Sequence, residues 1–365
     1  METIRKLNLK GHLLTAISYL IPIVCGAGFL VAIGSAMGGE SPADLTGNFS
    51  IWDALATMGG TALGLLPVVI STGISYSIAE KVGIAPGFIV GLTANVIEAG
   101  FIGGLLGGFI AGYITILIVR FLKVPEWAKG LMPTLVIPFL SALVSGLIMV
   151  YIIGTPISAF TTWLTGVLNS LNSSSILVFG IVVGLLSAVD YGGPINKTVF
   201  AFVLTLQAEG INEPITALQL VNTATPIGFG LAHLFGKAIN KQIYTQTEVE
   251  TLKSTVPMGV VNVVEGVIPL AMNDIIRSVI ASAVGGAAGG AVSMTLGADS
   301  TVPFGGVLML PTMSRPMAGV LALLANIVVT ALVLVVIKKK LSPEDLATQK
   351  EIEEEDIDLN DIQIS

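Results

Sequence analysis

The sequence predicts an all-α polytopic membrane protein of about ten transmembrane helices, and three observations predict it. Of 365 residues, 53% are hydrophobic and 11% are charged, whereas a soluble domain averages about 25% charged residues. The charge that exists is gathered into a few places. Residues 11–39, 54–79, 99–119, 278–298 and 316–337 contain no Asp, Glu, Lys or Arg, and 130–189 is a run of sixty without one. A bilayer span needs about 20 mainly apolar residues, so the chain crosses several times. This excludes a secreted protein, a nucleic-acid-binding protein and a simple cytosolic enzyme.

The elements follow in order from the charge-free runs and the bases that flank them. The N-terminal METIRKLNLKGH leads into an apolar run longer than a signal-peptide core, without an A-x-A site, and so reads as a retained first span. Spans are expected near 15–36, 54–78, 84–97, 100–120, 132–154, 174–189, 195–208, 217–236, 274–296 and 316–337. Lys and Arg mark the cytoplasmic side. They cluster at Arg5, Lys6 and Lys10, at Arg120, Lys123 and Lys129, at Lys237, Lys241 and Lys253, and at Lys338, Lys339 and Lys340. The 38–53 loop carries Glu40, Asp44 and Asp53 and no base, which places it outside and both termini in the cytoplasm.

Segment 155–175 is less apolar than its neighbours. Ile157, Phe160, Trp163, Leu164, Val167, Leu168 and Leu171 recur at helical spacing among Ser and Thr, the pattern of an interfacial helix, set at 156–173. It divides residues 11–340 into halves at 11–155 and 174–340. Beyond them, 341–365 holds nine acids against Lys350, a net of −8, while the rest of the chain nets +1. Such a segment buries too little apolar surface to order itself and is expected as a disordered cytoplasmic tail. The single cysteine, Cys25, allows no internal disulfide and no thiolate zinc site.

Glycine recurs every fourth residue at Gly100, Gly104, Gly108 and Gly112, and again as Gly285 with Gly289 and Gly286 with Gly290. Small residues at this spacing admit close helix crossings, within one subunit or at a dimer seam. Other segments are too broken for plain spans. Residues 254–272 contain Pro257 and Pro269 around Glu265, and 297–315 contain Pro303, Pro311, Gly305 and Gly306. Irregular backbone at membrane depth survives only buried in protein or lining a wet cavity, and paired interruptions point to a transport site.

Ionisable groups within apolar runs are functional candidates. Glu265, in VVNVVEGVIPLA, stands alone among apolar residues and reads as a substrate or ion contact, or as a structural hydrogen-bonding group. AVDYGGPINK places Asp190, Gly192, Gly193, Pro194, Asn196 and Lys197 across an apolar stretch. Its Gly-Gly-Pro breaks a helix and frees backbone groups, while Asp190 and Lys197 either meet a ligand or neutralise each other. Asp274 and Arg277 are spaced to pair on one helix face. Asp299 and Arg315 flank the TVPFGG break, near a gate. His12 and His233 are the only histidines, and there is no Walker A pattern, nucleophile elbow or metal-ligand spacing.

In order along the chain, GHLLTAISYLIPIVCGAGFLVAIG, SYSIAEKVGIAPGFIVG, AGFIGGLLGGFIAGY, DYGGPINK and VEGVIPLA resemble the membrane-embedded enzyme IIC of the fructose family of the bacterial sugar phosphotransferase system, over residues 11 to about 337. The resemblance implies a homodimer in the bacterial plasma membrane, with an N-terminal scaffold half, a C-terminal transport half containing re-entrant hairpins, and elevator-like movement. It implies a fructose-like sugar as substrate, phosphorylated by a phosphocysteine on a IIB partner that IIA charges, with no cofactor, metal or nucleic acid.

The family's E-G-x-I-P glutamate falls on Glu265, implied to hold a sugar hydroxyl and to help deprotonate it. The D-x-G-G-P-x-N-K pattern falls on Asp190 to Lys197, and Pro303, Gly305 and Gly306 are implied to line the substrate site. Two positions depart from the pattern: Val264 stands where the family often has Thr, and Phe304 where it often has His. The 25 residues after Lys340 are too few for a IIA or IIB domain, so the phosphodonor is expected on a separate chain. Two other readings compete: an ion-coupled secondary transporter with Glu265 as its proton site, and a sugar-binding sensor or scaffold signalling through the acidic tail.

Overall fold

The computed structural model describes residues 8–169 and 173–341, so the acidic tail, apart from Leu341, lies outside the described residues, as do Arg5 and Lys6. All regular structure among them is helical. The helices run α1 (Leu9–Ala36), α2 (Ile51–Gly64), α3 (Leu66–Ala79), α4 (Ile84–Val96), α5 (Gly100–Phe121), α6 (Ile137–Ile148) and α7 (Gly154–Asn169). They continue as α8 (Ser173–Ala188), α9 (Pro194–Ala208), α10 (Glu213–Ala238), α11 (Gln246–Val260), α12 (Ile268–Met272), α13 (Ile275–Leu296) and α14 (Pro316–Ile337). They form two discontinuous compact units. Among the described residues, the first gathers 8–169 and 173–175 with 197–216 and 299–314; the second gathers 176–196, 217–298 and 315–341.

In the first unit, α1 packs on α2 where Gly34 meets the Trp52 carbonyl and Ala56, and Gly59 meets Val31. The Ser50 hydroxyl accepts from the Asp53 N–H and the Asp53 carboxylate accepts from the Ser50 N–H, a capping box that starts α2. Asp53 also accepts from the Glu40 N–H at 2.8 Å, clasping the outer loop. Residues 54–78, expected as one span, are instead parts of two helices that break at Leu65. Pro67 follows in the first turn of α3, where its missing N–H costs nothing.

At Glu80, φ +55, the chain turns back, so α4 runs antiparallel along α3. The Ser71 and Ser75 hydroxyls donate to the Gly87 and Gly83 carbonyls, each at 2.7 Å. On another side of α3, Gly104, Gly108 and Gly112 of α5 meet Pro67, Ser71 and Ile78. This glycine stripe therefore serves packing inside the chain, where the absent side chains let backbones approach.

In the second unit, α13 uses both of its glycine pairs. Gly286 and Gly290 lie against Gly184 and Gly180 of α8, while Gly285 and Gly289 lie against Asn326 and Thr330 of α14. Tyr191, Phe229, Tyr244, Leu252, Val267, Leu270 and Leu334 form its apolar core. Just past α14, Lys338 is buried with its Nζ 3.6 Å from Glu248 Oε1 and 4.3 Å above the Tyr244 ring. Burial pulls the Lys338 ammonium below the ordinary lysine value, and the Glu248 carboxylate pushes it back up.

Among the described residues, six helical stretches have the length and apolarity to cross a membrane: Leu9–Ala36, Leu66–Val96, Gly100–Phe121, Lys129–Ile157, Ile275–Leu296 and Pro316–Ile337. Of these, Leu66–Val96 doubles back at Glu80. The other expected spans are shorter or more polar. α9, at 15 residues, is about 22 Å long at 1.5 Å per residue, and α10 has 26 residues but carries Gln219, Asn222 and Thr223 midway. Large apolar side chains face outward, Phe121 and Val336 among them, as a lipid-facing surface requires.

Candidate functional site

The Gly-Gly-Pro break and the Glu265 turn lie in the same unit. After α8 ends at Ala188, Asp190 reaches forward over the start of α9. Its Oδ2 accepts from the Ile195 N–H at 2.6 Å and its Oδ1 from the Asn196 N–H at 3.0 Å. Pro194 occupies the first position of α9, so Asp190 acts as a helix cap and both of its oxygens are engaged by backbone. Gly192 takes φ +87, a region that costs a residue with a Cβ about 1–2 kcal/mol. At Gly193 a Cβ would lie 2.7 Å from Asp190 Oδ2. Asn196 is buried, and its amide donates to the Ser187 carbonyl and, at 2.8 Å, to Asn222 Oδ1.

The second break follows α11. Asn262 adopts φ +67, its N–H donating to the Gly259 carbonyl and that of Val263 to the Met258 carbonyl, each at 2.8 Å. Asn tolerates this left-handed position, which closes a helix C-terminus. A single 3-10 turn, Val264–Val267, leads to Pro269 in the first turn of α12. Val264, Gly266 and Val267 are buried, and the Thr255 hydroxyl holds the Gly266 carbonyl at 2.8 Å. Glu265 alone points outward from this platform.

The two breaks meet. A Cβ built on Gly192 would lie 2.6 Å from Glu265 Oε1. Among the described residues, no hydrogen bond or ion pair engages the Glu265 carboxylate. An exposed carboxylate so placed beside opened backbone can accept a ligand hydroxyl in a charge-assisted hydrogen bond, and can serve as a base toward it.

The sequence reading missed the residues that brace this arrangement. On one face of α10, Gln219, Asn222 and Thr223 are buried. Asn222 accepts from Asn196 at the first break; Gln219 accepts from the Asn262 amide, and the Thr223 hydroxyl donates to Asn262 Oδ1 at 3.0 Å. The signal lay in the run QLVNTAT inside an otherwise apolar segment. Uncharged polar side chains at i, i+3 and i+4, two amides and a hydroxyl, sit on one helix face, and a search for charges and Gly/Pro breaks passes over them.

The remaining candidates lie in the first unit. Lys197 is half-buried on α9. Pro303, Gly305 and Gly306 are buried, with Gly306 at φ +57. Their segment is seated on α1: Gly28 abuts Phe304, Gly305 abuts Ala32, and the Phe304 ring stands edge-on to Phe29 at 5.9 Å. An apolar residue at 304 thus has an apolar partner. The Ser314 hydroxyl donates to Asp299, tying the two ends of the break. Elsewhere, Arg277 and Asp274 pair at 2.9 Å and His12 bonds to Ser77 at 2.9 Å. Among the described residues no group of three or more His, Cys, Asp or Glu could hold a metal.

Comparison with known proteins covers the segment that holds both the Gly-Gly-Pro break and the Glu265 turn. Residues 14–296 match the family described as "Phosphotransferase system, EIIC". The chain is 31% identical to fructose-like permease IIC component 2 of Escherichia coli (strain K12), over 97% of this chain and 96% of that protein. It is 34% identical to the fructose permease IIC component of Bacillus amyloliquefaciens, over 76% of this chain and 90% of that protein. It is 35% identical to the PTS system fructose-specific EIIABC component of Bacillus subtilis (strain 168), over 90% of this chain, which spans about half of that protein at 52%. With its apolar helices and these matches, this is a multi-pass membrane protein, and the chain belongs to the EIIC family of the phosphotransferase system.

Proposed function

We propose that this chain is the sugar-translocating permease subunit of a phosphotransferase system, carrying a fructose-like hexose across the plasma membrane for phosphorylation by a separate IIB chain. The observation that carries the reading is the exposed Glu265 carboxylate beside Gly192, where the two broken segments meet. The names of the relatives, which mention fructose and, in part, B and A components, favour the same substrate class and partner.

In this reading Glu265 orients one sugar hydroxyl and takes up its proton as the oxygen attacks phosphorus on the IIB phosphocysteine; the new O–P bond forms as the P–S bond breaks, and the cysteine leaves as thiolate. Alignment of hydroxyl and phosphoryl group supplies much of the rate. Gly192 and Gly193 keep the backbone open beside the sugar, and Asp190, Pro194 and Asn196 fix that backbone.

The α3–α4 hairpin, two helices of 14 and 13 residues, is each about 20 Å long and too short for a 30 Å core, which favours a re-entrant hairpin. Counted together with α3, α4, α8, α9 and α10, the five long stretches that do not double back give about ten membrane-embedded helices. Both termini lie in the cytoplasm, a homodimer is held by the N-terminal scaffold half, and residues 174–340 form the transport half.

The test is reconstitution in liposomes. Sugar phosphate should form only when phosphorylated IIB is supplied, and Glu265→Gln should abolish it with expression and unfolding temperature intact. Uptake of unmodified sugar that collapses with a protonophore would replace this reading with an ion-coupled transporter.

A further inference from the structure

A cavity of about 590 Å³ opens in the second unit where α10, α11 and the end of α14 converge, and none of the residues of the two breaks lines it. His233, Lys237, Lys241 and Lys340 line it together with the amides of Gln242 and Gln246, and among the described residues no carboxylate lines it. The chain is fixed at its rim, since the Leu341 N–H donates to the Gln242 carbonyl at 2.9 Å.

Which of these cations are committed decides what the cavity can do. Two helix C-termini reach this region, those of α10 and α14, and each carries partial negative charge that a nearby cation relieves. Lys241 does this for α14, its Nζ donating to the Val335 carbonyl at 2.5 Å and the Val336 carbonyl at 3.3 Å. The nearby acids are also committed: Glu248 faces buried Lys338, and Glu250 pairs with Lys253 at 2.6 Å. Lys237 and Lys340 are exposed and, among the described residues, have no ion-pair partner. His233 is half-buried, its ring held at 6.3 Å from that of Tyr244, and adds a ring nitrogen that can donate. Gln246 opens α11, whose N-terminus adds positive potential.

We propose that this cavity is a phosphate-ester binding site in which Lys237 and Lys340 neutralise the phosphoryl oxygens and His233, Gln242 and Gln246 donate hydrogen bonds to the remainder of the ligand. A phosphate carries the charge that two free ammonium groups match, and its several acceptor oxygens suit a lining made of donors. A lone positive-inside charge cluster would need neither the concavity nor the amides. The site does not depend on the permease reading, since a chain inactive in sugar phosphorylation would still bind phosphate here. The ligand chemistry is shared by a soluble phosphate monoester and by an anionic lipid headgroup.

The experiment titrates the full chain, in neutral detergent at fixed ionic strength, with inorganic phosphate and with a hexose phosphate, read by phosphorus NMR and calorimetry. A parallel arm measures lipid retention in nanodiscs of phosphatidylglycerol against phosphatidylcholine. Lys237→Gln with Lys340→Gln is expected to weaken phosphate-ester binding by about tenfold or more. Lys253→Gln, outside the cavity, should leave it unchanged. Both cavity lysines are exposed, so unfolding temperature is expected to stay at the wild-type value and serves as the folding control. Saturable binding of soluble phosphate identifies a free ester as the occupant; selective retention of phosphatidylglycerol, lost in the double variant, identifies a headgroup. Binding of neither, an unchanged affinity in the double variant, or an equal loss with Lys253→Gln overturns the proposal.

Discussion

Glu265 and Gly192 are matched as a pair: the carboxylate lies in space that any side chain at 192 would need, with Oε1 2.6 Å from the position of a Cβ. Gly192→Ala therefore acts twice. The φ of +87 costs about 1–2 kcal/mol of stability, and the flexible end of Glu265 must swing away. We expect sugar phosphorylation to fall by more than the stability loss explains. Assaying Gly192→Ala alongside Glu265→Gln checks it; full activity in the alanine variant would separate the two residues functionally.

Lys338 and Glu248 form a buried pair with side chains 5% and 6% exposed. Removing one member strands the other, so Lys338→Met should destabilise by about 3–5 kcal/mol. Lys338→Met with Glu248→Gln should recover most of that, because the second change removes the stranded charge. Denaturation in detergent micelles, read as a double-mutant cycle, measures the coupling.

Asn262 can be dissected by two substitutions. Gly keeps the φ of +67 free of strain, so Asn262→Gly should lose only the bonds to Gln219 and Thr223, at about 1–3 kcal/mol. Asn262→Ala should cost about 1–2 kcal/mol more. Equal unfolding temperatures in the two variants would show that the backbone there relaxes.

Asp53 supplies a pH dependence of known sign. The Glu40 N–H, then the Ser50 N–H and hydroxyl, hold its carboxyl below the ordinary aspartate value of 3.8. A group depressed in the folded state contributes stability that is present above 3.8 and is lost as pH falls through the lowered value. Hydrogen exchange at the Glu40 and Ser50 amides should accelerate across that window, relative to intrinsic rates, and Asp53→Asn should abolish the transition.

Much of the membrane architecture was legible because it rests on composition. Charge-free runs located α1, α5, α13 and α14, whose ends coincide with loss of apolarity. The failures have physical causes. The 54–78 run divides at Leu65 because Pro67 starts a new helix, and α3 and α4 fold together through Glu80 at a backbone angle that composition does not encode. Within the site, Glu265 and the Gly-Gly-Pro break were visible as violations of an apolar background. The cap formed by Asp190 was not foreseen, since capping depends on where the next helix begins. Gln219, Asn222 and Thr223 escaped notice because their bonding partners are distant in sequence, and only tertiary packing pairs them.

The shared face of α10 has a consequence for how such a protein diversifies. One helix steers two loops at once, through Asn222 to one and through Gln219 and Thr223 to the other. Substitutions there can reshape the cradle in concert while every signature residue stays in place. Under the proposed function, engineering of selectivity would begin on that helix before the motifs themselves.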